Sequence, residues 1–292
     1  DIFNVVFLCI INVFFMVVGI FVNSVVIISI LRSRQLRKKL CYFMILVLSC
    51  FDLAVVSITH PFFITSTIYY FLEDADEIRR KTGVSITFVL YGFSISALFA
   101  LNAERFVALM CPYFHQKSVT KTKLVCLQAL MTIMIVAALP LVYVNTKTVF
   151  AVNIIIAVFI LLLLLLLVYG NYKMFMIAKS KRKDKIVWPT AATSMEDNRN
   201  SRILNFKNIS TCSLAVGCFF ICSCPQIIVA FFRLATEAPP FDRQVWLFNI
   251  WSNTFTSINS TLNCMIFFWR NSILRREGMK ILAKAFWARM IY

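Results

Sequence analysis

Apolar residues along this chain come in long runs separated by short polar or basic links, and each run is long enough for a helix to cross a bilayer core, which takes about 20 residues. The runs fall at about residues 5–31, 41–70, 82–111, 123–144, 149–178, 204–234 and 244–269. They predict an all-α membrane protein, a seven-transmembrane helix bundle that forms one domain over residues 1–292. The first run has no basic leader, is longer than a signal-peptide core and ends in Arg32, Arg34, Arg37, Lys38 and Lys39, so it reads as a retained span. After the seventh, residues 270–287 alternate basic side chains with Ile273, Leu274, Met279, Ile281, Leu282 and Phe286 at nearly helical spacing. That stretch predicts a C-terminal amphipathic helix on the membrane surface. The longest link, residues 179–203, is polar and basic and contains Trp188-Pro189, which argues against a continuous helix there.

Composition supports the bilayer as solvent. Hydrophobic residues make up 60% of the chain and charged residues 15%, with a mean hydropathy of +0.81, whereas soluble chains carry about 25% charged residues. A net charge of +17 would suggest nucleic acid as the partner of a soluble protein; in a membrane chain it points to loops facing anionic lipid, and nucleic acid drops out. Of the 30 Lys and Arg, 22 lie on the side of the 32–39 link and six on the opposite side, where Glu73, Asp74, Asp76, Glu77, Glu237 and Asp242 also fall. The asymmetry predicts an extracellular N-terminus and a cytoplasmic C-terminus.

An ionisable group inside a span is costly and is a functional candidate by default. Lys173, near a span end, can snorkel to the headgroups. Asp52 cannot, because it lies about eleven residues inside the second run. Asn259, Ser260 and Asn263 cover one arc of the seventh span, and Asn23 and Ser94 are oxygen donors at comparable depth. Spacing alone leaves two readings open: a site for a hard monovalent cation or a water cluster, or interhelical hydrogen bonds that hold the bundle together. Glu104 and Arg105 form a second ionisable pair near the cytoplasmic end of the third span. His60 and His115 have no evident ligand set, and Cys218, Cys222 and Cys224 read as packing.

Asn23 in GIFVNSVVI, Asp52 in LSCFDL, Glu104-Arg105-Phe106 followed by Pro112, Pro225 in FFICSCP, and Asn263 in NSTLNCMIF followed by WRNSILR occur in the order and spans of the rhodopsin-like (class A) G-protein-coupled receptors, which the whole chain resembles. The resemblance implies a multi-pass plasma-membrane receptor that passes an extracellular ligand signal to heterotrimeric G proteins through outward movement of the sixth span, and no enzymatic activity. It implies a coupling switch of Glu104, Arg105, Phe106, Tyr169, Asn263 and Phe267. It implies an allosteric sodium pocket of Asp52, Ser94, Asn259, Ser260 and Asn263, with no other cofactor. Pro225 is implied as the sixth-span kink, where it removes a backbone donor and crowds the preceding turn, and Phe219 as the core aromatic beside it.

The chain departs from the family pattern in several places. Ser223 stands where the family carries a tryptophan toggle, and Asn263-Cys264-Met265-Ile266-Phe267 lacks the usual proline and tyrosine. No cysteine falls in an outer loop, so the family's outer disulfide is missing, and the fifth span lacks its proline. By family position the ligand pocket comprises Phe62, Thr65, Thr87, Phe88, Tyr91, Gln226, Asn249, Asn253 and Ser257, an uncharged set. Thr87 in place of the amine-binding aspartate speaks against a salt-bridged amine, and Ser257 in place of the retinal lysine against an opsin. A neutral or amphiphilic small molecule fits this lining as the unknown extracellular ligand, and a peptide gripped by the acidic loop from Glu73 to Glu77 is the other reading. The alternative, a transporter or channel with Asp52 as its ion site, would call for inverted repeats or paired Gly/Pro breaks, and neither is found in the sequence.

Overall fold

The computed structural model describes residues 2–72, 77–137, 165, 168–176, 210–229 and 243–290. Every regular element among them is helical. In chain order these are α1 (Ile2–Arg32), α2 (Arg34–Lys38), α3 (Leu40–Phe71), α4 (Glu77–Met110), α5 (Pro112–Ser118), α6 (Lys121–Ala137), α7 (168–176), α8 (Ser210–Val229), α9 (Arg243–Arg270) and α10 (Ser272–Met290). The helices α1, α3, α4, α6, α7, α8 and α9 fall on the seven predicted runs, and α10 on the predicted amphipathic stretch. Three details differ from expectation. The basic 32–39 link contains a helical turn, started by Ser33, whose hydroxyl accepts from the Leu36 amide. The 112–118 link is the helix α5, which begins with proline at its first position, where a missing N–H costs nothing. The third span begins at Glu77 rather than 82. The expectations for residues 73–76, 145–148 and 179–203 lie outside the described residues.

Among the described residues, α1, α3, α4 and α8 contain segments long and apolar enough to cross a membrane by themselves, and the pair α5 and α6, bent by 89°, would add a fifth span. The helix α9 is not among them. Its sequence carries Ser, Thr and Asn at ten of the fifteen positions from Asn249 to Asn263, and most of those side chains are buried. This polar load is tolerated because α9 packs on α1 and α3 rather than facing lipid. By contrast α1 turns Phe3, Phe7, Ile10, Phe14, Val17 and Phe21 outward, a lipid-facing stripe at helical spacing.

Close approach depends on small residues. A Cβ on Gly19 would stand 2.5 Å from the Thr261 hydroxyl and 2.8 Å from Val56, so glycine lets α1 sink between α3 and α9. One end of the bundle is filled by Ile30, Leu48, Leu98, Leu101, Phe219 and Phe267 together with Leu274 of α10. We call this the basic end, because α2, α5, α10 and Arg105 gather there. The corner between α9 and α10 is fixed by Asn271, whose side-chain oxygen accepts from the Leu274 amide at 3.1 Å as an N-cap and from the Tyr42 hydroxyl of α3 at 3.0 Å.

Candidate functional site

Polar side chains meet inside the bundle at three levels, and α3 contributes to each. At the middle level Asp52 is fully buried. Ser94 of α4 donates to its Oδ1 at 2.5 Å, Asn263 of α9 donates to its Oδ2 at 3.4 Å, and Ser260 lies within hydrogen-bonding reach. Every one of these partners is neutral. Asn23 of α1 donates to the Gly19 carbonyl at 2.9 Å and to the Ser260 carbonyl at 3.5 Å. The side-chain oxygens of Asn23, Asn259 and Asn263 are buried with no donor. A carboxylate with only neutral partners, flanked by acceptor oxygens that nothing satisfies, is a donor set suited to a hard cation. The residues present therefore fit a sodium ion. Asp52, Ser94, Ser260 and Asn263 come together here, and Asn259, the neighbour of Ser260 along α9, is also buried.

About two helical turns further along α3, Thr59 shares a hydrogen bond of 3.1 Å with Ser257. Tyr91 of α4 is hydrogen-bonded to the same serine hydroxyl and donates to the Asn253 carbonyl at 2.8 Å. Three helices are thereby joined through three residues expected to line a ligand pocket, Tyr91, Asn253 and Ser257. Next to this junction lies a network that sequence reasoning missed. His60 Nδ1 is 2.7 Å from Asn12 Oδ1, and the Asn12 amide donates to Thr254 at 3.2 Å and to the Leu8 carbonyl at 2.9 Å. A second amide within the apolar first span, besides Asn23, was the available signal.

The other expected pocket residues are less gathered. Thr87 is buried, Phe88, Gln226 and Asn249 are half-buried, and Thr65 is exposed with its hydroxyl turned back to the Phe62 carbonyl. Phe62 itself lies against Gly83 of α4, where no Cβ would fit.

At the basic end Glu104 has a fully buried side chain. Arg105 grips it with both arms, Nε to Oε2 at 2.5 Å and Nη2 to Oε1 at 2.6 Å. Two parallel charge-assisted bonds make this the strongest contact geometry available to the pair. His115, which is on the helix α5 and not in an open link, reaches the same Oε1 at 2.8 Å. Cys41 of α3 and Cys212 of α8 lie within electrostatic range of the guanidinium. Of the remaining switch residues, Phe267 is buried in the core and Phe106 half-buried. Tyr169 is exposed, with the Lys173 ammonium 5.2 Å from its ring centre, so the structure does not bring it to Arg105. Pro225 lies within α8, with Gln226 beside it presenting a buried oxygen that has no donor.

The chain matches the family model described as 7 transmembrane receptor (rhodopsin family) over residues 22–267. It is also similar to the cannabinoid receptor type 1B of Takifugu rubripes, with 26% identity over 290 residues that cover 89% of this chain and 59% of that protein. The chain thus spans about three fifths of the length of this relative.

Proposed function

Starting from the premise that the chain belongs to the rhodopsin family of seven-transmembrane receptors, whose members are receptors and not enzymes, we propose that it carries a ligand signal across the plasma membrane to a heterotrimeric G protein. The N-terminus is extracellular in this reading and the basic end faces the cytoplasm, in accord with the Lys and Arg asymmetry. The ligand enters from the opposite end, and α8 swings outward about Pro225 when the site is filled.

The observation that carries the proposal is the Glu104–Arg105 pair. A guanidinium held by its own neighbour, largely buried and within electrostatic range of Cys212 of α8, has a low-energy resting partner. It can exchange that partner for one on another protein only if α8 moves away. Such an exchange of partners is a two-state element.

The ligand we infer is neutral and largely apolar. Thr59, Thr87, Tyr91, Asn249, Asn253 and Ser257 offer hydroxyl and amide groups but no charge to hold an ion. The relative's name, a cannabinoid receptor, agrees with that chemistry. Asp52, Ser94, Asn259, Ser260 and Asn263 would hold a sodium ion that supplies the positive charge the buried carboxylate lacks.

The test is GTP exchange by a panel of purified G proteins with the chain in phospholipid nanodiscs, challenged with a panel of neutral lipids. Exchange above background that disappears in Arg105→Ala is the expected result. Equal exchange with and without the arginine would defeat the switch.

A further inference from the structure

The first turn of α8, Ser210-Thr211-Cys212-Ser213, carries no acidic residue, so Arg105 has no charge on α8 to hold at rest. A different side chain ties that end of α8 to the bundle. Arg270, the last residue of α9, donates from Nη2 to Ser210 Oγ at 2.9 Å and from Nε to Thr211 Oγ1 at 3.3 Å. Arg270 stands at a rigid corner. The carbonyl of Trp269, just before it, accepts from Arg275 at 2.9 Å, and Asn271, just after it, caps α10 and is bonded by Tyr42 of α3. Thr211 and its neighbour Cys212 are both buried.

We propose that Arg270 is a clasp holding the cytoplasmic end of α8 to the α9–α10 corner, and that its grip sets how often the chain signals without ligand. The consequence for signalling rests on the receptor reading above; the clasp itself does not. Both acceptors are neutral hydroxyls, so release replaces each bond by one to water and leaves no carboxylate stranded. The clasp therefore opens at modest cost, whereas a buried ion pair would not. Arg270 acts through α8 and is a positioning residue.

The experiment uses the full chain in phospholipid nanodiscs, without ligand. Spin labels carried by non-canonical amino acids replace the exposed Leu214 of α8 and Leu31 of α1, which avoids the ten native cysteines. Arg270→Ala is expected to lengthen the Leu214–Leu31 distance and to raise ligand-free GTP exchange about tenfold, the effect of losing one to two net hydrogen bonds. The Ser210→Ala/Thr211→Val double variant should show both changes, and adding Arg270→Ala to it should change nothing further, because Arg270 reaches α8 through these two hydroxyls. Arg270→Lys should fall between.

An unchanged distance in both Arg270→Ala and the hydroxyl double variant, or effects of the two that add, would overturn the clasp. If the distance lengthens while no G protein responds, the clasp stands and the coupling reading fails. If the wild-type chain drives exchange and the distance never moves, the clasp alone is wrong.

Discussion

Asp52 and Glu104 are both fully buried carboxylates in one helical bundle, and they have been given opposite surroundings. Glu104 receives two bonds from Arg105 and one from His115. Asp52 receives only neutral donors, while the amide oxygens of Asn23 and Asn263 at the same level go without a donor of their own. A closed ion pair stores its charge internally and changes only when a partner is taken away. An uncompensated carboxylate among unused acceptors is completed only by something from outside. The first arrangement suits a switch and the second a site for a small cation, although both read as one acidic residue in an apolar run.

The largest expected effect comes from breaking the closed pair. Glu104→Ala leaves a largely buried guanidinium without its carboxylate, a change that costs up to about 3 kcal/mol, the lower end for a fully buried pair. The variant should melt well below the parent in lipid and show raised ligand-free GTP exchange. An unchanged melting temperature would mean that the pair contributes nothing to the resting state.

The open site responds differently. Sodium at about 100 times its dissociation constant should stabilise the parent chain by about 2.7 kcal/mol relative to N-methylglucamine, and Asp52→Asn should abolish that difference without destabilising the chain in sodium-free buffer. A sodium effect that survives the substitution would remove Asp52 from the site.

Tyr91→Phe tests the level above, where Thr59 and Ser257 keep each other as partners after the phenol is lost. A stability loss of about 1 kcal/mol is expected, typical of one hydrogen bond, with a larger loss of affinity for any ligand that contacts the tyrosine. The smallest effect is assigned to His115→Ala, about 0.5 kcal/mol, because Arg105 keeps both oxygens of Glu104. A loss as large as that of Glu104→Ala would make His115 the principal partner and reverse the assignment.

How much of this was visible in the chain depended on distance along it. The apolar runs showed the spans, because a bilayer of fixed thickness demands a fixed number of apolar residues. Asp52, Asn263 and the Glu104–Arg105 pair stood out because a charge or amide in such a run violates its local rule. His115 was missed for the opposite reason: a histidine in a polar link breaks no rule, and only the helix α5 turns it back toward Glu104. Arg270 was likewise one of several basic residues beyond the last run, and nothing local reveals that Ser210, sixty residues earlier, is its acceptor. The placement of Tyr169 beneath Lys173 was hidden too, since family position gave it another role.

The polarity of α9 also governs how the molecule is made. A segment with so many amides and hydroxyls partitions poorly from the translocon into lipid when it arrives alone, and it is synthesised after α1 and α3. Its insertion then requires that α1 and α3 already stand in the bilayer as a docking groove, with Asn12, Asn23, Asp52 and Thr59 waiting for their counterparts. Mutations at Gly19 or Asn12 should therefore appear in cells as chains retained and degraded in the endoplasmic reticulum with the final span left on the wrong side, before any defect in ligand response could be measured.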